Sequence, residues 1–322
     1  MSRRVRVLVG LALTAVTLAG CGARTDQALH LTLDALSTPV PAVPASARSP
    51  SENCQDMKAS LRPPAALPAP NHMPPGSFMA RIHKQGYLIA GVNAGLYQFG
   101  YLNPGTGRIE GFEIDLVREL AHAIFGNYNA YRLVALTVPQ RIPFVQNGRV
   151  DIVVDAVTIT CARRRQVDFS TVYYDAKQTV LVPSNSKADG IRALAGKPVC
   201  ATAQSAPMQM MEDRPDPPQA VGLPQAIDCL VALQEGKVDA ISTDSSILLG
   251  LRAQDPETKF VGGSLADVPY GMAISKGHPD FVRFVNGVLA KLRATGTWRR
   301  LYAKWLGRFG PTPAPPAPVY AG

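Results

Sequence analysis

The sequence predicts an α/β protein made of two similar units, and three observations lead there. Short aliphatic, β-branched runs alternate with stretches whose apolar residues recur at helical spacing, which implies strands and helices in turn with mostly parallel pairing. The segments "VQNGRVDIVVDAVTIT" and "LQEGKVDAISTDSSIL" share one pattern: apolar–Gln–x–Gly–basic–Val–Asp, a short strand, then a polar end. At 322 residues, 46% hydrophobic and 18% charged, the chain is long enough for one large or two medium domains with a real core.

In chain order, "GYLIAGVN" reads as a strand. "GTGRIEGFEIDLVRELAHAIFG" reads as a turn, a short strand and an amphipathic helix, with Ile114, Val117, Leu120, Ala121 and Ile124 on one stripe. "YRLVAL" is a strand, and "QRIPFVQNG" is a short helix that tolerates Pro143 near its start. "VDIVVDA" is again a strand, and "QTVLVP" leads out of this first unit. The second unit runs through "LAGKPVCAT" (strand), "APMQMMEDR" (helix), "LPQAIDCLVALQEGKVDAISTD" (helix, turn, strand), "SILLGLRAQ" (helix) and "KFVGG". "YGMAISK" is a strand that returns the chain to the first unit. A last helix, "HPDFVRFVNGVLAKLRATGTWRRLYAKWLG", carries Phe281, Phe284, Val285, Val288, Leu289 and Leu292 on one stripe, continued by Trp298, Leu301, Tyr302 and Trp305. Its basic, aromatic end could lie on a membrane surface, but the unbroken stripe favours docking on its own core.

The first residues carry an address. Arg3, Arg4 and Arg6 precede an apolar run from Val7 to Leu18, too short for a membrane span of ~20 residues, followed by small residues: a secretory signal. Leu18-Ala19-Gly20-Cys21 resembles a bacterial lipobox, so Cys21 is expected to carry lipid and to anchor the chain to a membrane. Removing the three arginines takes the formal charge from +9 to +6, an excess that calls for no nucleic-acid partner. From Gly22 to about Pro75 the chain is rich in Pro, Ala and Ser and reads as an extended tether; the tail "GPTPAPPAPVYAG" reads as disordered or draped. Export makes the other four cysteines legible as two disulfides. Of three pairings, Cys200–Cys229 (within one region) and Cys54–Cys161 (stapling the incoming segment to the arginine turn) are expected. Zinc is disfavoured, since no two cysteines have CxxC spacing and the five histidines are scattered.

Ligands of open α/β sheets sit beyond the carboxyl ends of the strands. Two such ends, Asp155 to Thr160 and Ser242 to Ser246, would face a shared cleft. Thr160 suits the N-cap of a short helix starting at Cys161, whose unpaired N–H groups favour an anion. Arg163 can grip a carboxylate with two parallel bonds, and Thr158 adds a hydroxyl. Arg164 and Arg165 are expected in solvent. Across the cleft, Asp244 suits an ammonium group, although spacing alone makes it the N-cap of "SSILLGLR". Arg163 and Asp244 together would hold a zwitterion between two lobes.

"GRIEGFEIDLVRELA", "QNGRVDIVVDAVTITCARRRQVDFSTVYY", "LAGKPVCAT", "GKVDAISTDSSIL" and "TGTWRRLYAKWLG", with the lipobox, resemble the family 3 extracellular solute-binding proteins, polar amino-acid receptors of ABC importers. The likeness runs from Gly86 to Gly307; lipobox, tether and five cysteines make it similar especially to the actinobacterial glutamine/glutamate-binding lipoproteins. The resemblance implies a two-lobed, periplasmic-binding-protein-like fold of type II, each lobe a mixed sheet flanked by helices, joined by a two-segment hinge near Gln178–Pro183 and Lys259–Pro269. It divides the chain into signal (1–20), lipidated tether (21–75), lobe 1 (76–180 with 268–309), lobe 2 (181–267) and tail (310–322).

For the site, the resemblance implies carboxylate binding by Ala156, Thr158, Thr160 and Arg163, amine binding by Asp244, and ligand contacts from Thr202, Gln204 and Ser205. Ala156 stands where the family usually has glycine. Asn93 occupies the place of a frequent aspartate, and the aromatic clamp falls among Leu96, Tyr97 and Phe99. Asp155, Asn93 and Tyr97 are placed with the ligand-binding set. The implied partners are a small polar amino acid (glutamate, glutamine, aspartate or asparagine), a membrane permease with its ATPase, and the membrane itself through the lipid. The protein is expected as a monomer on the outer face of the cell membrane, with no cofactor and no metal.

Two other outputs fit the same cleft. An amino-acid sensor would report closure to a membrane partner. A dehydratase or lyase would need a poised acid or base. Glu113, Asp115 and Asp155 are the candidates, of which Glu113 and Asp115 read as structural, and there is no G-x-S-x-G, no HExxH and no Cys–His pair in a recognisable context.

Overall fold

The computed structural model describes residue 54 and residues 56–321; Cys21 and its signal lie outside the described residues. The chain enters along the surface of the first lobe. Ser60 Oγ donates to Phe169 O at 2.7 Å, and Asn286 Nδ2 donates to Ser60 Oγ at 2.8 Å and to Leu61 O at 2.7 Å. The C-terminal tail lies beside it, bridged at Ser60 and Tyr320. Both Pro-rich segments, in their described parts, are therefore draped on the globule.

Helix α1 (Phe78–Gln85) starts at Ser77, whose hydroxyl accepts from Ala80 N. Strand β1 (Leu88–Val92) follows, then the small meander β2 (Gly95–Leu96), β3 (Gly100–Asn103) and β4 (Arg108–Glu110). The meander turns sharply into α2 (Phe112–Phe125) at Gly111, φ 140°, where a Cβ would stand 2.2 Å from Phe99 O; glycine is required. The expected stripe of α2, from Ile114 to Ile124, is buried. Then come β5 (Tyr131–Ala135), α3 (Arg141–Gln146), β6 (Ile152–Val153), α4 (Cys161–Gln166), β7 (Val167–Phe169) and the long β8 (Tyr174–Pro183).

The second lobe comprises β9 (Pro198–Thr202), α5 (Ala206–Glu212), β10 (Gln219–Leu223), α6 (Ala226–Gln234), β11 (Ala240–Asp244), α7 (Ser245–Gln254) and β12 (Thr258–Tyr270). The chain returns through β13 (Ala273–Ser275) and ends in α8 (Pro279–Ala294) and α9 (Thr297–Leu306). The single last helix expected from the sequence is broken at Gly296, φ 70°, which is the N-cap of a second helix. Its aromatic face is used internally: Trp298 Nε1 donates to Tyr173 O and Trp305 Nε1 to Asp115 Oδ2.

Two five-stranded sheets result, ordered β5-β1-β6-β13-β7 and β10-β9-β11-β8-β12. Each is mixed rather than mostly parallel. In the first, β1 pairs in parallel with β5 and β6, while the returning β13 runs antiparallel to β6 and β7. In the second, β9 pairs in parallel with β10 and β11, and β8 runs antiparallel to β11 and β12. Antiparallel pairing enters wherever the chain crosses between lobes. The crossings lie at residues 170–173 and 271–272. The hinge segments expected at Gln178–Pro183 and Lys259–Pro269 sit largely in the second sheet, laddered from Thr258↔Pro183 to Tyr270↔Tyr174 with an irregularity between Val261 and Ala266. Both expected disulfides are present: Cys54–Cys161 fastens the incoming segment to α4, and Cys200–Cys229 joins β9 to α6.

Candidate ligand-binding cleft

The carboxyl ends of β6 and β11 open on one cleft. It draws its lining from both lobes. Asn93, Ala156, Thr158 and Arg163 come from the first lobe, and Thr202, Ser205, Thr243 and Asp244 from the second. Leu96, Val138, Pro207 and Ile247 supply apolar walls.

The first-lobe side is built around an unusual turn. Ala156 has φ 45°, a left-handed conformation that explains why glycine would suit this place. Its N–H donates to Glu113 Oε1 at 2.7 Å, and the same oxygen accepts from the Tyr173 hydroxyl. Burial, with the Asp155 charge added, pushes the Glu113 carboxyl up to about 7. Glu113 serves the fold from beneath the turn, as expected. Thr160 caps α4 through Arg163 N at 3.2 Å, and Arg163 Nη1 donates to Thr158 O at 2.9 Å. Burial and the like charge of Arg141 bring the Arg163 guanidinium down to about 10, so it stays protonated at neutral pH.

Asp155 and Arg141 form a pair. Arg141 Nε and Nη2 each donate to an Asp155 carboxylate oxygen at 2.8 Å, and Asp155 is fully buried. Burial pushes the Asp155 carboxyl up, and the Arg141 guanidinium opposes it. Asp155 is thus consumed by a side chain and does not line the cleft; Arg141 does. Sequence reasoning missed Arg141. Its signal was an arginine on the buried stripe of α3, four residues before buried Val145, with a strand-end acid available as partner.

On the second-lobe side, Asp244 holds the N-cap position of α7 that spacing gave it, but its side chain makes no cap hydrogen bond and is left for the cleft. Its Oδ2 accepts from the Tyr270 hydroxyl at 2.5 Å, and its buried Oδ1 accepts no hydrogen bond. Burial pushes its carboxyl up to about 6, against the Tyr270 hydroxyl and the charges of Arg141 and Arg163. Ser205 Oγ accepts from Met208 N at 3.1 Å and caps α5 at the cleft rim. Tyr97 stands apart: its hydroxyl accepts from Arg308 at 2.7 Å, and Leu96 takes the lining position instead. Arg164, expected in solvent, donates to Met57 O and Ala59 O of the incoming segment, whereas Arg165 is exposed. Thr243, within the strand end expected at the cleft, lines it, as does Gln225, which carried no distinguishing sequence signal.

Residues 88–308 match the family model of the bacterial extracellular solute-binding proteins, family 3. The chain belongs to that family. Its family 3 span coincides with the resemblance read between Gly86 and Gly307, and it places the chain among binding proteins rather than enzymes. The ABC transporter glutamine-binding protein GlnH of Bacillus subtilis (strain 168) is 32% identical over 229 residues, 71% of this chain and 84% of that protein. The glutamine-binding protein of Geobacillus stearothermophilus is 35% identical over 199 residues, 62% of this chain and 76% of that protein. Among solved structures, an arginine-bound form of truncated ArgBP from T. maritima superposes with a TM-score of 0.62 at 27% identity, covering 66% of this chain and 99% of that one.

Proposed function

We propose that this chain is a lipid-anchored extracytoplasmic receptor for a polar amino acid of the glutamate, glutamine, aspartate and asparagine class, delivering it to the permease and ATPase of an ABC importer. One observation supports the ligand class above the rest: one cleft carries Arg163 from the first lobe and, from the second, an aspartate with an unpaired buried oxygen. With Arg141 already neutralised by Asp155, the charges left to meet a ligand are one cation and one anion on opposite walls. An α-amino acid presents the complementary pair. Its carboxylate meets the Arg163 guanidinium and the Thr158 hydroxyl, and its ammonium meets Asp244 Oδ1. Each end then belongs to a different lobe, so capture favours the closed arrangement of the lobes. Cys21 supplies the anchor in this reading, and the glutamine-binding names of two relatives agree with the ligand class.

Calorimetric titration with the common amino acids tests the reading. Heat of binding is expected from at least one of Glu, Gln, Asp and Asn, and Arg163→Ala weakens the affinity by roughly 1.5–3 kcal/mol while thermal unfolding is unchanged. Silence from all four amino acids refutes the ligand class.

A further inference from the structure

Tyr270 stands where the two halves of the cleft meet. It is the last residue of β12, just before the chain crosses back to the first lobe. Its backbone pairs with Tyr174 on one side and bridges to Thr158, on the carboxylate side of the cleft, on the other. The neighbouring ladder bonds, Ile159 N to Pro269 O at 2.8 Å and Gly271 N to Val157 O at 3.0 Å, fasten the same stretch to the turn after β6. The ring is fully buried and stacks on Tyr174 at 5.5 Å. Its hydroxyl donates to Asp244 Oδ2 at 2.5 Å and lies 2.8 Å from Ser246 Oγ. The phenol has one proton, and the carboxylate can only accept it, so Ser246 donates to the phenol oxygen.

We infer that Tyr270 is the positioning residue of the ammonium site: it fixes the Asp244 carboxylate through Oδ2 so that Oδ1 is presented to the ligand, and it ties that carboxylate to the turn carrying Thr158. The inference rests on the amino-acid reading for its ligand and on geometry for its mechanism. Asp244 is buried in an environment that opposes its charge, and the groups that hold it ionised are Arg141 and Arg163 across the cleft and Tyr270 from beneath; Tyr174 lies close enough to feel the same charge. The Tyr270 proton stays in place through neutral pH, because burial and the adjacent Asp244 push the phenol well above its ordinary value. It is a permanent donor.

Tyr270→Phe keeps the ring and removes the donor. In the ligand-free protein, carbon-13 NMR of labelled aspartate carboxyls is expected to show Asp244 titrating at higher pH in the variant. Amino-acid affinity at pH 7 is expected to fall roughly tenfold, the scale of one charged hydrogen bond. Its acid limb should move to higher pH, and in an Asp244→Asn background the same substitution should cost nothing further. An unmoved Asp244 titration, or an equal loss in both backgrounds, overturns the assignment. Should Tyr270→Phe fail to fold, Ser246→Ala leaves the phenol in place but weakens its polarisation, and is expected to move the same titration in the same direction by less; no movement overturns the assignment equally. If the wild-type protein binds no amino acid, the ligand reading fails alone, because the carboxyl titration needs no ligand.

Discussion

The two lobes place an aspartate at matching strand ends and then treat it in opposite ways. After "VDIVV", Asp155 receives both forks of a buried guanidinium and is closed to the cleft. After "VDAIST", Asp244 receives one phenol and keeps a buried oxygen unpaired. The difference shows that a strand-end acid becomes structural or functional according to its partner, which a different element supplies. Arg141 comes from α3, and Tyr270 comes from the end of β12, at the lobe junction. The same contrast holds one turn earlier in the repeat. Asp151 is buried under Arg81 and Gln85, while its counterpart Asp239 is exposed.

Removing Arg141 should make Asp155 resemble Asp244, without the open cleft that makes Asp244 useful. Arg141→Ala leaves a fully buried carboxylate without its cation, a change that costs about 3–5 kcal/mol. Thermal unfolding should fall by roughly 10 °C, and adding Asp155→Asn should return part of the loss because the stranded charge is gone. Unchanged unfolding in Arg141→Ala would erase the distinction between the two acids.

Asp244→Asn sharpens the comparison from the other side. Affinity for the amino acid should fall by roughly 1.5–3 kcal/mol, while the ligand-free protein should become no less stable, since a buried charge with an unpaired oxygen is removed. The pH dependence fixes the sign. Burial raises the folded Asp244 carboxyl from its ordinary 3.8 to about 6, so the folded state holds this proton more tightly than the unfolded state does. Its contribution to stability is therefore best in acid and is lost as pH rises from about 4 through about 6. Wild type should thus lose stability relative to Asp244→Asn across that window, as followed by denaturant titration at several pH values. Ligand affinity should run the opposite way, falling below about pH 6 as the carboxylate that holds the ammonium is protonated. Parallel curves for the two proteins would mean that Asp244 is not the raised acid.

Much of this was legible in the chain, and the illegible part has one cause. The strand ends, the α4 cap at Thr160, Arg163, Thr158 and both disulfides followed from local pattern, cysteine arithmetic or a family resemblance, because each depends on a few neighbouring residues or on a motif. The Arg141–Asp155 pair, the phenol on Asp244 and the true crossings at 170–173 and 271–272 depend on contacts between distant elements, which spacing along one chain does not encode. Tyr97 shows the reverse error. An aromatic near the first strand end suits a ligand clamp in sequence, but the meander turns it outward to Arg308. The break at Gly296 was visible as one of two glycines inside the helical pattern, the other being Gly287, yet the apolar stripe on either side masked it.

The smallest expected effect concerns how α4 is held, and it separates the helix from the side chain it carries. Thr160 Oγ1 accepts from Arg163 N, so the cap and the guanidinium share one residue, while Cys161 fastens the same turn to Cys54 and Arg164 grips the incoming segment. Thr160→Ala removes only the cap, a change of about 1 kcal/mol in stability. With the disulfide and Arg164 holding the helix, the Arg163 guanidinium should keep its place on Thr158 O, and affinity should shift less than twofold, on the order of 0.4 kcal/mol. Reducing Cys54–Cys161 in the same variant leaves α4 held by Arg164 and its own backbone. Affinity should then fall further than either change produces alone, as couplings between residues sharing one support do. Strictly additive losses would mean that the cap and the disulfide support Arg163 independently of one another.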